Sequence, residues 1–202
     1  MRVARTRSPE VHRKIVEAAL ELMAERGLDG ASVDAIAERA GVSKMTIYGH
    51  WPDKEALFLE AMATLHGLRD RPIFDTGDTR ADMIAVLSWQ PQKQRAELQQ
   101  RIWPHFLAYA ARNEKFDEAW RELALEPPRR ELKRLLHDAA RRGELHNLPS
   151  TEDALAQLLG PMMYRTLFSR QKSIRPERDA RIAVDAFWRA FGPAVPIETN
   201  DQ

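Results

Sequence analysis

Between Ser43 and Lys54 the chain reads SKMTIYGHWPDK, a run dense in side chains that can meet a nucleic acid. Lys44 carries a donor suited to guanine O6 and N7, Thr46 a hydroxyl that reaches a base or a phosphate, and Met45 an apolar tip that fits a thymine methyl. Tyr48, His50 and Lys54 lie further along and suit phosphate oxygens, contacts that fix orientation rather than sequence. From Arg39 to Pro52 there is no acidic residue, whereas Arg39, Lys44 and (when protonated) His50 are basic. Near a phosphate backbone that local asymmetry matters more than the balance of 31 Lys+Arg against 30 Asp+Glu over the chain. Arg2, Arg5 and Arg7 would add a loose contact from the N-terminus.

Other chemistries lack their parts. The 6 histidines include no pair three or four residues apart, no Glu-x-x-His and no HExxH, so helical di-metal and zincin sites have no ligands. With no cysteine there is no disulfide, thiolate zinc site or cysteine nucleophile. Ser169 and Lys172 match S-x-x-K without any of its accompanying groups, and no Gly-rich phosphate loop occurs. The sequence therefore implies no enzyme, no metal and no cofactor. The N-terminal MRVARTRSPE has no apolar stretch of a signal peptide, and no apolar run approaches the roughly 20 residues of a membrane span. The expectation is a cytoplasmic protein without a membrane partner. A helical scaffold without DNA function remains the alternative, but it leaves the acid-free segment and its tyrosine–histidine–lysine spacing unexplained.

A short helix reads DNA only if other elements hold it out. Ser8-Pro9 predicts a helix start, and Val11, Ile15, Ala18 and Leu22 recur behind it at helical spacing, with Ala19 and Met23 widening the stripe. Gly27 should end that helix. A second helix is expected from Val33 to Ala40, capped by Ser32, whose neighbouring free N–H groups suit a phosphate. Gly41 breaks it, and Ser43 caps a third from Lys44 to about His50. Ala37, Gly41, Val42 and Ile47, with Val33 and Ile36 beneath, are the small, turn-forming and apolar residues by which two helices cross in a helix-turn-helix. Asp53 caps a fourth helix containing Ala56, Leu57, Leu59 and Ala61. Residues 70–79, RDRPIFDTGD, read as a linker. Further helical windows follow at about 80–90, 94–112, 114–125, 128–142, 151–170 and 177–191, separated by turn signals such as Glu126-Pro127-Pro128. The fold class is all-α, with nine or ten helices. A DNA-binding domain is expected over 1–60, with a connecting helix to about 70, and a second helical domain over 72–195.

The stretch from Val11 to about Glu60 resembles the N-terminal domain of TetR-family regulators. The resemblance is carried by AALELMAERGLDGASVDAIAERAGVS, then Tyr48-Gly49-His50-Trp51, then Asp53-Lys54-Glu55-Ala56-Leu57. It implies that Lys44, Thr46, Tyr48, His50 and Lys54 fall on DNA-contacting positions. It also implies a homodimer, a separate ligand-binding domain, and release from a double-stranded operator when a small-molecule effector binds, with repression as the family default. Two residues depart from the pattern. Trp51 stands where phenylalanine is usual, and Gly49 sits within the recognition helix at a cost of about 1 kcal/mol against alanine. Gly49 either permits close approach of backbone to DNA or merely shortens a weak helix.

Residues 72–195 hold twelve of the fifteen aromatics, so any apolar ligand pocket is expected there. Pro104 should kink one helix and Gly160-Pro161 another, and bent helices leave adaptable cavities. Candidate lining residues are Trp89, Trp103, Phe106, Tyr109, Met163 and Phe168, with His105 or Tyr109 as a polar handle. Ordinary core is the alternative for each. In proteins of the resembling family two helices from each subunit form a four-helix interface. The corresponding residues are Leu132, Leu135, Leu136 and Ala139, then Leu155, Leu158, Leu159 and Met162. A two-fold dimer would set its recognition helices about 34–36 Å apart on a palindromic operator.

Overall fold

The structure, a computed structural model, describes residues 8–89, 96–168 and 175–193. Among these are ten α-helices: α1 (Pro9–Gly30), α2 (Val33–Ala40), α3 (Lys44–His50), α4 (Lys54–Leu65), α5 (Thr79–Ser88), α6 (Ala96–Ala110), α7 (Glu114–Trp120), α8 (Glu126–Arg141), α9 (Thr151–Phe168) and α10 (Pro176–Phe191). None is long and apolar enough to cross a membrane, among the described residues. The side chain of Phe168, and Arg2, Arg5 and Arg7, lie outside the described residues.

The helices form two compact units. In the first, α1 packs against α2, α4 and α6, α2 against α3, and α7 against α4 and α6. Its core joins Ile15, Leu22 and Met23 of α1 to Ile36, Ile47, Leu57, Phe58, Ile102 and Phe106. Compactness thus divides the chain differently from the boundary near residue 71: α6 and α7 belong with the N-terminal helices. In the second unit α5 packs on α8 and α10, and α9 on α8 and α10.

Side chains cap the short helices as their residue types require. Ser32 accepts from the Ala35 N–H at 3.2 Å, Ser43 from Thr46 at 3.1 Å, and Asp53 from Ala56 at 2.7 Å. Ser8 precedes α1 but its side chain makes no capping bond; Pro9 alone marks that start. Gly27 does leave helical geometry, at φ 72° and ψ 174°, although the helix resumes for one more turn to Gly30. The expected break at Glu126-Pro127-Pro128 is absent. A π-helical turn over Arg121–Leu125 leads directly into α8, whose first residues are Glu126, Pro127 and Pro128.

The residues expected at a dimer interface on α8 and α9 differ in how far their own subunit covers them. Leu132, Leu135, Leu136, Ala139, Leu155 and Leu158 are all buried within the second unit, at 4% exposure or less. Leu159 and Met162 are partly buried and pack against the same core. Within the subunit α8 packs chiefly on α5, and α9 chiefly on α10.

Candidate nucleic-acid interface

The turn between α2 and α3 is built around Gly41, whose left-handed conformation (φ 66°, ψ 37°) lets the Val42 N–H reach the Ala37 carbonyl at 2.9 Å. Ile36 and Ile47 then meet in the core, Ile47 with 1% of its surface exposed. Burying that side of a seven-residue helix turns the opposite side outward. Met45 is 78% exposed and Tyr48 50%, and Gly49 is exposed beside them. This is the geometry by which a recognition helix enters a groove.

The polar residues expected to contact DNA are mostly engaged within the protein. Ser43 Oγ caps α3 and lies 2.9 Å from Thr46 Oγ1. Lys44 pairs with Asp34 on α2. Lys54 Nζ is 3.5 Å from the Leu28 carbonyl and stands over the rings of Phe58 and Tyr109, 5.4 and 5.5 Å from their centroids. Arg39, the first cation of the acid-free segment, lies 2.8 Å from Glu25 and 3.2 Å from Glu21. Its guanidinium holds the Glu25 carboxyl below the usual carboxylate range. The acid-free segment of the sequence is therefore not acid-free in space: α1 and α2 supply the carboxylates.

His50 belongs to a cluster that sequence reading missed. Its Nδ1 lies 3.3 Å from His12 Nδ1 of α1, and His12 Nε2 is 3.0 Å from Glu60 of α4. The same carboxylate accepts from the Trp51 indole N–H at 2.7 Å and pairs with Arg69 at 2.9 Å. Burial alone would raise the Glu60 carboxyl, but the hydrogen bonds from Trp51 and His12 and the charge of Arg69 hold it below its ordinary value. The indole donor is what distinguishes Trp51 from the phenylalanine usual there, so the departure gains a hydrogen bond. No local pattern announces partners 38 and 48 residues apart.

The seven residues expected to line a pocket are divided between the units. Phe106 and Tyr109 are buried in the first core, and Tyr109 donates to Glu55 at 2.5 Å. His105 is exposed, with its ring against Gly27. Trp103 stacks on Phe106 at 5.5 Å and meets Trp120 and His66 edge-on or tilted, with its buried Nε1–H without a partner among the described residues. His66, which accepts from Gln99 at 2.7 Å, is pushed down to about 4 by burial. Trp89 and Met163 belong to the second unit. A groove of about 540 Å³ between α4 and α7 is lined by Glu55, Leu59, Asn113 and Phe116, among others, and by none of the seven.

Comparison with known proteins agrees with this geometry. Residues 15–61 match "Bacterial regulatory proteins, tetR family", and residues 73–187 match "Tetracyclin repressor-like, C-terminal domain". The chain is 31% identical over 166 residues to the uncharacterized HTH-type transcriptional regulator YdeS of Bacillus subtilis, covering 82% of each. It is 29% identical over 130 residues to the DNA-binding transcriptional repressor TetR of Mycobacteroides abscessus, covering 64% of this chain and 68% of that one. A transcriptional regulator from Rhodococcus sp. Rha1 shares the fold, with a TM-score of 0.69 at 24% identity over 91% of this chain and 99% of its own. With an outward-facing α3 in the matched N-terminal region and a second matched region over most of the rest, the chain belongs to the TetR family of bacterial regulators, DNA-binding transcription factors rather than enzymes.

Proposed function

We propose that this regulator binds a palindromic operator as a homodimer, represses transcription there, and is released by a small apolar or aromatic effector. The observation that carries the DNA-contacting part is α3 itself, buried along Ile47 and exposed along Met45 and Tyr48. Met45 and Thr46 would face base edges, while Tyr48, His50, Lys54 and the capped start of α2 at Ser32 would position phosphates. Lys44 and Asp34 are both more than half exposed, and such a pair is worth at most about 1 kcal/mol. A phosphate or guanine would displace Asp34 at little cost.

The homodimer reading rests on family membership and on exposed apolar residues of α9 and α10. Since α8 and much of α9 point into their own core, the exposed apolar residues Met163 and Tyr164 of α9 and Ile182 of α10 are better suited to a second copy. The effector reading is supported by the aromatic group of Trp103, Phe106 and Trp120, and by the indole N–H of Trp103, which lacks an acceptor among the described residues. A buried donor left unsatisfied costs about 1–3 kcal/mol, which an acceptor on an aromatic guest would recover.

The test is an electrophoretic shift on DNA selected by the full-length protein from a randomised pool. Palindromic enrichment and affinity falling steeply with salt are expected. Selection of no sequence, or binding indifferent to salt, would refute the reading.

A further inference from the structure

The outward face of α3 is unusual in what it leaves available. Lys44 pairs with Asp34 in an exposed and weak contact, and the hydroxyls of Ser43 and Thr46 bond one another, so the polar groups of this face can exchange partners while its apolar part is open to any ligand. Met45, Tyr48 and Gly49 occupy positions i, i+3 and i+4 and so share one exposed face. Nothing among the described residues requires glycine at position 49. It is absent from the glycines with positive φ, and a Cβ built there meets no heavy atom within 4 Å. Glycine weakens a helix interior, and in seven residues there is little helix to weaken. A residue with a cost and no internal purpose points outward, to something that comes closer than a Cβ would allow.

We propose that this regulator reads thymine methyl groups, with Met45 as the reading side chain and Gly49 as the point where the α3 backbone comes against the DNA. The inference rests on the DNA-binding reading above and specifies which feature of the operator is recognised. The face presents an apolar tip, an aromatic ring and bare backbone. In the major groove the C5-methyl of thymine is the apolar mark that distinguishes it. A glycine four residues after the methionine lowers the helix onto the base pair that Met45 contacts. 5-Methylcytosine carries the same methyl group at the same edge, so a cytosine methylated at a contacted position would be read as thymine is.

The experiment uses duplexes selected from a randomised pool by the wild-type protein. Each thymine is replaced in turn by deoxyuridine, which removes the methyl and leaves pairing intact. At one or more thymines per half-site, affinity should fall about fourfold, the scale of one buried methyl group. Met45→Ala should bind more weakly and no longer distinguish thymine from uracil there. Gly49→Ala should raise the melting temperature by about 2–4 °C and lower affinity on the order of tenfold. If every uracil duplex binds as thymine does, or if Gly49→Ala binds as tightly as wild type, the proposal is overturned while DNA binding stands. If the wild type selects no DNA at all, the underlying reading fails first.

Discussion

At the residue scale, backbone conformation at Gly27 and Gly41 and burial at His66 control stability. Gly27 combines φ 72° with ψ 174°, a conformation open essentially to glycine alone, and a Cβ there would lie 3.1 Å from the His105 ring. Gly27→Ala should cost about 2 kcal/mol or more in chemical denaturation. Gly41→Ala, which is left-handed but meets nothing within 4 Å, should cost about 1–2 kcal/mol. Equal costs would show that the His105 contact and the extended ψ contribute nothing. His66 gives a pH signature. Its folded value of about 4 lies below the roughly 6.5 of an unfolded histidine, so the unfolded chain takes up the proton first. Stability should be full above pH 6.5 and fall progressively as pH drops toward 4, by on the order of 3 kcal/mol. Thermal melts across that window should show the loss, and His66→Gln should flatten it.

At the element scale, α3 is too short to persist unaided and is held by its cap, its buried side and its last residue. Removing the cap with Ser43→Ala should cost about 1 kcal/mol of stability. It should also weaken DNA binding, because the N-terminal turn carrying Met45 loosens. The other end is tied through Trp51 and His12 to Glu60 of α4. Because the Glu60 carboxyl sits below its ordinary value in the fold, its contribution is complete above the ordinary carboxylate range, near pH 4.3, and is lost as pH falls through the depressed folded value. Glu60→Gln should therefore lower stability at pH 7 and leave less of it to lose in acid. Unchanged acid denaturation in the variant would mean that the carboxylate is not the titrating group.

At the scale of the whole molecule, core positions and the proposed assembly surface call for different tests. Leu158→Ala removes a fully buried side chain and should cost about 2–5 kcal/mol whether or not the protein is dimeric. Met163→Glu and Tyr164→Glu alter exposed positions. They should leave the melting transition of a subunit largely intact while shifting sedimentation from dimer to monomer and weakening operator binding. A dimer that survives both substitutions would move the assembly face elsewhere. The α6–α7 segment belongs at this scale too. Tyr109 on Glu55, Arg112 on Asp29 and His105 against Gly27 join it to α1 and α4. Any rearrangement of α6 acts directly on the unit that carries α3.

The local chemistry of the chain was legible without its tertiary structure. Ser32, Ser43 and Asp53 cap because their side chains reach only a few residues ahead, and Gly41 turns because of its own backbone freedom. The helix-turn-helix and the buried role of Ile36, Ala37 and Ile47 follow from spacing on short helices, as does the all-α class from periodicity. Distance along the chain hid the rest. A stripe of leucines on α8 and α9 shows that a face is buried but not whether its partner is another helix or another subunit. A segment without acids says nothing of the carboxylates that Glu21, Glu25, Asp34 and Glu60 bring to it from other helices. Gly49 joins the two levels. Its presence in α3 was plain from the sequence, but only the packed fold shows open space where its Cβ would be, because that depends on which other helices come near it.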